Sequence, residues 1–201
     1  MTKFSAKQAI DLIAAAFKSP DTMLAFVRSD PALLESRTGL GETPLHYLAV
    51  ENQLKAVLSL LAAGAEVNTV NSVGGTPLSE AASLGYEEMV DLLIAHGARL
   101  HLPGQMEPTL HEATRSANGR VVELVLRAGA EVNERNDMKE TALHLAAESE
   151  DRLVALEALL DAGADTTARA LFGDTPLDVA VRQGSNACTA ALMARGGGDS
   201  H

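Results

Sequence analysis

The sequence is poor in aromatic residues, cysteine and long apolar runs, and each shortage excludes a class of protein. It has no tryptophan, and only 3% of its 201 residues are aromatic. Cys188 is the single cysteine, so an intramolecular disulfide is excluded and secretion is not indicated. No stretch approaches the roughly 20 apolar residues of a membrane-spanning helix. Residues 1–20 lack a cleavage pattern, and Asp11 interrupts their apolar stretch, so we do not expect them to be a signal peptide. We therefore expect a cytoplasmic location.

Basic residues are also scarce. The chain has 16 lysines and arginines against 27 acidic residues, a formal net charge of -11. This excess repels phosphate backbones and anionic membrane surfaces, and no separate basic patch is present. Nucleic-acid and membrane partners are therefore not expected. Hydrophobic residues make up 46% of the chain, and Leu, Ala, Val and Ile supply most of them, which favours a helical core.

What the sequence does contain is a repeat. The segment Thr43-Pro44-Leu45-His46 returns in exact or altered form every 32 to 34 residues, beginning at Thr76, Pro108, Thr141 and Thr175. A Gly-Ala pair keeps the same rhythm and follows a leucine-rich run, at Gly64, Gly97, Gly129 and Gly163. Two independent marks in fixed phase indicate one structural unit used several times.

Each mark has a physical reason. Threonine caps the free backbone donors at a helix start, and proline in the first helical position needs no donor. The glycine after the leucine-rich run supplies the left-handed residue that ends a second helix. The segment from Val67-Asn68 to Gly74-Gly75 then has the chemistry of a hairpin turn.

The order and spacing of Thr-Pro-Leu-His, Leu-Leu, Gly-Ala and Val-Asn resemble the ankyrin repeat over residues 31–197. The resemblance implies an all-α solenoid of stacked helix-turn-helix units with protruding β-hairpin loops. We expect one domain over residues 1–201. Its expected parts are a capping helix pair with the first hairpin (1–42), four repeats (43–75, 76–107, 108–140 and 141–174), a C-terminal capping repeat (175–197) and a flexible tail (198–201).

The amino-terminal cap and two irregular repeats lead to further expectations. In the cap, Ser5 to Gln8 is typical of a capping box, and Asp21 is predicted to cap a second helix through Val27. The third repeat inverts the cap to Pro108-Thr109, so we expect it to be the least stable repeat. The fourth repeat has one extra residue between its helices, at 149–152, where the loop should bulge.

The residues that suggest chemistry have simpler interpretations. His46, His111 and His144 occupy one phase of successive units, about 8 to 10 Å apart, and therefore cannot share a zinc ion whose ligands lie about 2 Å away. The resemblance makes them structural hydrogen-bonding residues. No nucleophile elbow or phosphate loop is present, and Cys188 falls at a core position. We expect no catalytic, cofactor or metal site, and no enzyme.

The resemblance places partners on the concave surface formed by hairpin tips and first helices. Four apolar residues recur three positions before a helix start, with a glutamine in the irregular third repeat: Leu40, Val73, Gln105, Met138 and Phe172. Acidic residues stand one position before the helix start or near the end of a first helix: Glu42, Glu107, Glu140, Asp174, Glu51 and Glu148. First helices add Ser83, Leu84, Arg115 and Arg182. These fifteen residues form the predicted partner-binding set.

Structural explanations that involve no partner remain open for these fifteen residues. The apolar residues can pack on the neighbouring hairpin, and the acidic ones can be an ordinary solvated face. Arg37, Arg135 and Arg169 recur in phase and can pair with the acidic residues. Asn68 and Asn133 match the hairpin asparagine that some hydroxylases modify in this family, and we interpret them first as turn formers.

The sequence therefore predicts a protein-binding module that acts as an adaptor, inhibitor or regulator. Its expected partner is another protein with a basic surface, and the unbound chain is expected to be a monomer. A self-associating scaffold, with apolar tips meeting in a symmetric dimer, is the alternative. An enzyme with a site in the third repeat is a third hypothesis with little in its favour.

Overall fold

The computed structural model describes residues 6–196, and all of their regular structure is helical. Ser5 of the predicted capping box and the predicted tail at 198–201 lie outside these residues. The described residues form the α-helices α1 (Ala6–Lys18), α2 (Pro20–Ser29), α3 (Pro44–Val50), α4 (Leu54–Ala62), α5 (Pro77–Ser83), α6 (Glu87–Ala95), α7 (Thr109–Arg115), α8 (Gly119–Arg127), α9 (Ala142–Ala147), α10 (Leu153–Asp161), α11 (Pro176–Gln183) and α12 (Asn186–Gly196). Two 3-10 helices cover Pro31–Glu35 and Glu150–Arg152.

The chain divides into two compact units. The first holds the described residues up to Ala81 together with Glu88–Met106, and the second holds Ala82–Glu87 together with the described residues from Glu107 onward. In the first unit α1 packs on α2 and α3, and α2 packs on α4. In the second unit α7 and α11 pack on α9, whereas α8 and α12 pack on α10. Each unit is thus built by stacking helix pairs, and the predicted all-α repeat fold is confirmed. The grouping of all residues into a single domain stays a prediction.

Helix starts follow the threonine caps. The Thr43 hydroxyl accepts the backbone N–H of His46, and Nδ1 of His46 in turn accepts the backbone N–H of Thr43 at 3.2 Å. Thr175 forms the same reciprocal pair with Asp178 at the start of α11. In the amino-terminal helix pair the prediction was wrong by two residues. Ser19, and not Asp21, caps α2, because its hydroxyl lies 3.1 Å from the backbone nitrogen of Thr22.

Helix ends follow the glycines. Gly64, Gly97, Gly129 and Gly163 all have φ between 84° and 98°, a conformation that glycine adopts without the steric cost of a Cβ. In the third repeat Ala117 takes a φ of 58° in the turn between α7 and α8. The extra residue of the fourth repeat lies in the 3-10 turn before α10.

The hairpin loops are tight turns, and residues 6–196 contain no extended strand. Four loops are each closed by two backbone hydrogen bonds. One, of 2.9 to 3.0 Å, runs from Thr38 to Glu42, Asn71 to Gly75, Asn136 to Glu140 and Ala170 to Asp174, and in the other the carbonyl of the first residue accepts the N–H three positions later at 2.8 to 3.2 Å. Neighbouring loops are also joined. In the first unit Ser72 N–H donates to the Leu40 carbonyl at 3.0 Å, and in the second Leu171 N–H donates to the Met138 carbonyl at 2.8 Å. Within each unit the tips therefore stand in register.

Leucine and alanine form the core, as the composition predicts. Leu45, Leu48 and Leu60 are fully buried in the first unit, and Leu143 and Leu156 are fully buried in the second. The longest described helix has 13 residues. None of the helices in residues 6–196 combines the length and apolar character needed to cross a bilayer.

Candidate protein-binding surface

The apolar residues at the loop tips, here called the apolar tip residues, are exposed in both units. Leu40 and Val73 of the first unit keep 60% and 57% of their surface in solvent, and Met138 and Phe172 of the second keep 42% and 82%. Neighbouring loops meet through backbone hydrogen bonds, so their joining does not bury these side chains. Gln105, in the irregular third repeat, is half-buried, and its side-chain oxygen accepts the Leu102 N–H at 3.1 Å.

Asparagine side chains hold the tips in shape. Oδ1 of Asn71 accepts the backbone N–H groups of Val73 and Gly75 at 3.1 and 2.8 Å. Asn136 does the same in the second unit for Met138, at 3.0 Å, and for Glu140, at 2.9 Å. A loop that is already ordered loses less conformational entropy on binding, which favours a contact surface.

The acidic residues next to the tips are held by neighbouring side chains. Thr38 donates its hydroxyl to Glu42 at 2.8 Å, and Asn136 donates its amide to Glu140 at 3.2 Å. Three further acidic residues face a guanidinium, with Glu107 3.6 Å from Arg115, Asp174 2.6 Å from Arg182 and Glu148 2.7 Å from Arg152. Glu51, the residue after α3, is exposed. The surface thus presents oriented carboxylates, several of them partly neutralised.

Arg37, Arg135 and Arg169 do not follow the suggestion that they pair with acidic residues. Arg37 donates to the carbonyl oxygens of Gly41 and Val70 at 2.6 and 3.0 Å. Arg135 donates to the carbonyl of Arg169 at 2.9 Å, and Arg169 to that of Gly173 at 2.7 Å. Because guanidinium groups carry several donors in a rigid fork, they brace one loop against the next through backbone oxygens.

The first-helix residues of the predicted set differ in their burial and in their contacts. Arg115 lies 3.1 Å from Glu112 and within reach of Glu107, so it joins the acidic residues of the third repeat. Burial raises the pKa of Glu112, which the Arg115 charge partly counteracts. Ser83 is half-buried and Leu84 is 47% exposed. Of the predicted set, the structure therefore brings together Arg115 with Glu107 and Arg182 with Asp174.

The histidines of the repeats are buried connectors between helix start and loop. Nε2 of His46 lies 3.2 Å from the carbonyl oxygen of Gly75, and Nε2 of His144 lies 3.1 Å from that of Asp174. Burial lowers the pKa of His46 to about 4, and burial likewise lowers the pKa of His111 and His144. No group of three potential metal ligands occurs within residues 6–196.

Asn68 and Asn133 bridge consecutive repeats, a role that sequence reasoning missed. The Asn68 amide donates to the Gly97 carbonyl at 3.0 Å, and its oxygen accepts the Arg99 N–H at 2.8 Å. The Asn133 oxygen accepts the Asp165 N–H at 2.8 Å. The recurrence of Asn four positions after the glycine of a Gly-Ala pair, at Asn68 and Asn133, was the available signal. These side chains therefore join repeats in addition to lying in turns.

Comparison with known families agrees with this architecture. The family model "Ankyrin repeats (3 copies)" matches residues 12–103 and again residues 110–199. The chain belongs to the ankyrin-repeat family.

Individual relatives are proteins of several kinds. The chain is 32% identical over 169 residues to the nuclear factor NF-kappa-B p105 subunit of Gallus gallus, covering 82% of the chain and 17% of that protein. It is 32% identical over 139 residues to the ankyrin repeat and SOCS box protein 6 of Homo sapiens, 68% of the chain and 33% of that protein. A transient receptor potential cation channel subfamily A member 1 homolog of Caenorhabditis elegans is 36% identical over 132 residues, 65% of the chain and 11% of that protein. The chain thus spans a third or less of the length of these relatives.

Ankyrin repeats generally mediate protein–protein interaction, and members of the family are typically interaction modules without enzymatic activity. The general class of function follows from membership in the family. The particular partner and the surface it contacts do not.

Proposed function

We propose that this chain is a protein-binding module that acts as an adaptor, inhibitor or regulator by occupying a surface of one partner protein. The observation that carries the proposal is the exposure of the apolar tip residues in loops ordered by backbone and asparagine hydrogen bonds. Phe172, 82% exposed, is the extreme case. Large apolar side chains held in solvent on ordered loops are typical of contact surfaces.

The proposed partner presents apolar pockets surrounded by basic residues. Glu42 and Glu140 lie beside the tips and Glu51 follows α3, and none of the three has a guanidinium within ion-pair distance among the described residues. A net charge of -11 would also speed the approach of a basic protein. The proposed location is the cytoplasm, and the proposed partner is neither nucleic acid nor membrane.

Quantitative affinity capture tests the proposal. Wild-type chain and the triple variant Leu40→Ser, Met138→Ser, Phe172→Ser are immobilised, and proteins retained from a lysate of the source cells are compared by mass spectrometry. We expect a partner retained by the wild type and lost, by about tenfold or more, from the variant. Unchanged retention removes the apolar tip residues from the binding surface.

A matched variant controls for general loss of apolar surface. Ile10 and Val154 are 56% and 60% exposed and lie on helices, away from the loop tips. The double variant Ile10→Ser, Val154→Ser should retain the partner. Equal Tm values for the three proteins show that folding is unaffected, because none of the substituted side chains is buried.

The alternative is self-association through the same tips. Light scattering across a range of concentrations separates the two functions. We propose a monomer at all concentrations, whereas a dimer that disappears in the triple variant supports the scaffold instead.

A further inference from the structure

A groove of about 430 Å³ lies between two second helices of the first unit, α4 and α6. Leu54 and Leu58 of α4 and Leu92 of α6 line it with apolar surface. Leu58 keeps 47% of its surface in solvent although it lies on a regular helix. The volume falls within the range of roughly 300 to 1,000 Å³ that ligand sites occupy.

Charged residues stand along the edges of this groove. Glu88 and Asp91 lie one turn apart on α6, and Lys55 faces them from α4. All three are exposed, and no ion pair is present for any of them in the described part of the chain. The groove thus combines an apolar floor with two carboxylates on one wall against one ammonium on the other.

Different residues occupy the equivalent positions between the second helices of the second unit, α8 and α10. Gly119 and Val154 hold the repeat positions of Leu54 and Glu88. Val154 packs directly over Gly119, so that a Cβ added there would lie 3.1 Å from Cβ of Val154. Glu123 holds the position of Leu58 and pairs with Arg120 at 2.9 Å. The apolar and acidic residues that line the groove are therefore particular to the first unit.

We propose that this groove is a second protein-binding site, which accepts a segment of another protein carrying an aliphatic side chain beside a lysine or arginine. The aliphatic side chain occupies the space above Leu54, Leu58 and Leu92. The basic side chain lies between the Glu88 and Asp91 carboxylates, which form no ion pair with any residue between positions 6 and 196. The site shares no residue with the apolar tip residues, so it stands apart from the proposed function.

Selection from a phage-displayed library of random 12-residue peptides tests the proposal and does not require the partner to be identified first. The library is selected on the wild-type chain and depleted on the variant Leu58→Glu, which installs the acidic residue found at the same position of the second unit. Affinities of the recovered peptides are measured by fluorescence anisotropy. We expect a consensus with Leu, Ile, Val or Met adjacent to Lys or Arg.

Two further variants separate shape from charge. Leu58→Trp fills the groove with a larger side chain, and the double reversal Glu88→Lys, Asp91→Lys keeps the apolar floor but inverts the charge of the α6 wall. Each should weaken the recovered peptides by about tenfold or more. Glu123→Leu, the matching change in the second unit, should leave affinity unchanged. Leu40→Ser with Phe172→Ser should also leave it unchanged, which distinguishes this site from the tips.

Three outcomes overturn the inference. They are a consensus without basic residues, affinities that the groove variants do not alter, and the absence of any peptide that binds wild type better than Leu58→Glu. Because Leu58, Glu88 and Asp91 are exposed, all variants should keep the wild-type Tm, and a loss of binding then reports on the groove.

Discussion

Nε2 of His46 lies 3.2 Å from the carbonyl oxygen of Gly75, a residue 29 positions later in the following hairpin loop. The other ring nitrogen, Nδ1, lies 3.2 Å from the backbone nitrogen of Thr43, whose N–H it accepts. Since Nδ1 accepts, the proton resides on Nε2 and the ring is neutral. One imidazole therefore caps its own helix and fastens the next loop, and it does both only in the neutral form.

This arrangement predicts that acid destabilises the fold between about pH 6.5 and pH 4. The folded pKa of His46, about 4, lies below its ordinary value of 6.5, so the unfolded state binds more protons in this window. The free energy of unfolding is then constant above the window and falls as the pH decreases through it. At pH 5 the loss from His46 should be about 2 kcal/mol. Urea unfolding at pH 7 and pH 5 measures it.

His46→Gln provides the control for this pH dependence. The variant should be less stable at pH 7, because the connector is lost, yet it should lose less additional stability at pH 5. Part of the pH dependence of stability should remain in the variant, because burial also lowers the pKa values of His111 and His144. An equal pH dependence in variant and wild type would contradict the role assigned to His46.

The asparagine bridges predict a graded loss of stability. Asn68→Ala removes two hydrogen bonds to the next repeat and Asn133→Ala removes one. We expect losses of about 2 and 1 kcal/mol in the free energy of unfolding, since each bond contributes on the order of 1 kcal/mol. Asp137→Ala, at an exposed tip position, should change little. Equal values for all three variants would mean that the bridges contribute nothing.

Close packing at Gly119 predicts an unfavourable Gly119→Ala substitution. Alanine ordinarily stabilises a helix by about 1 kcal/mol relative to glycine. Here its Cβ would press against Val154, and overpacking of this kind costs about 1 to 3 kcal/mol. The variant should therefore have a lower Tm. Adding Val154→Ala should recover part of the lost Tm. A higher Tm for Gly119→Ala alone would show that Val154 does not restrict this position.

The irregular third repeat predicts a stabilising substitution, Pro108→Thr. Nδ1 of the buried His111 has no hydrogen-bond partner among residues 6–196, because Pro108 stands where other repeats provide a threonine N–H and hydroxyl. Supplying that partner should gain about 1 to 3 kcal/mol, which exceeds the roughly 0.4 to 1 kcal/mol of chain entropy that proline contributes. Thermal unfolding should show a higher Tm. Pro31→Thr, at the start of a 3-10 helix, serves as the comparison and should not raise it.

Local residue types allowed much of the fold to be predicted from the sequence. Thr-Pro fixes where α3 and α11 begin, and the glycines after the second helices end them, because capping and left-handed conformations depend on a few adjacent residues. The error at α2 arose from the same local chemistry. Ser19 and Asp21 are both competent caps, and the proline between them decides that the helix begins at residue 20.

The hydrogen bonds between repeats could not be predicted from local residue types. Asn68 reaches a carbonyl 29 residues away, and Arg37 reaches one 33 residues away. Such pairs depend on how loops stack, which a single repeat does not encode. The apolar tip residues were predicted as a set, but their exposure was left open because the alternative, packing on the next loop, uses the same residues. The predicted use of the tips in binding stays a prediction.

Site-specific photo-cross-linking at Phe172 is a direct test of partner binding by the loop tips. A benzophenone side chain replaces Phe172 in one protein and Val154, which is also exposed, in a control, and both are irradiated in a lysate of the source cells. We expect a covalent adduct between position 172 and one other protein, and little adduct from position 154. An equal pattern from both positions, or an adduct only with a second copy of the chain, would contradict it.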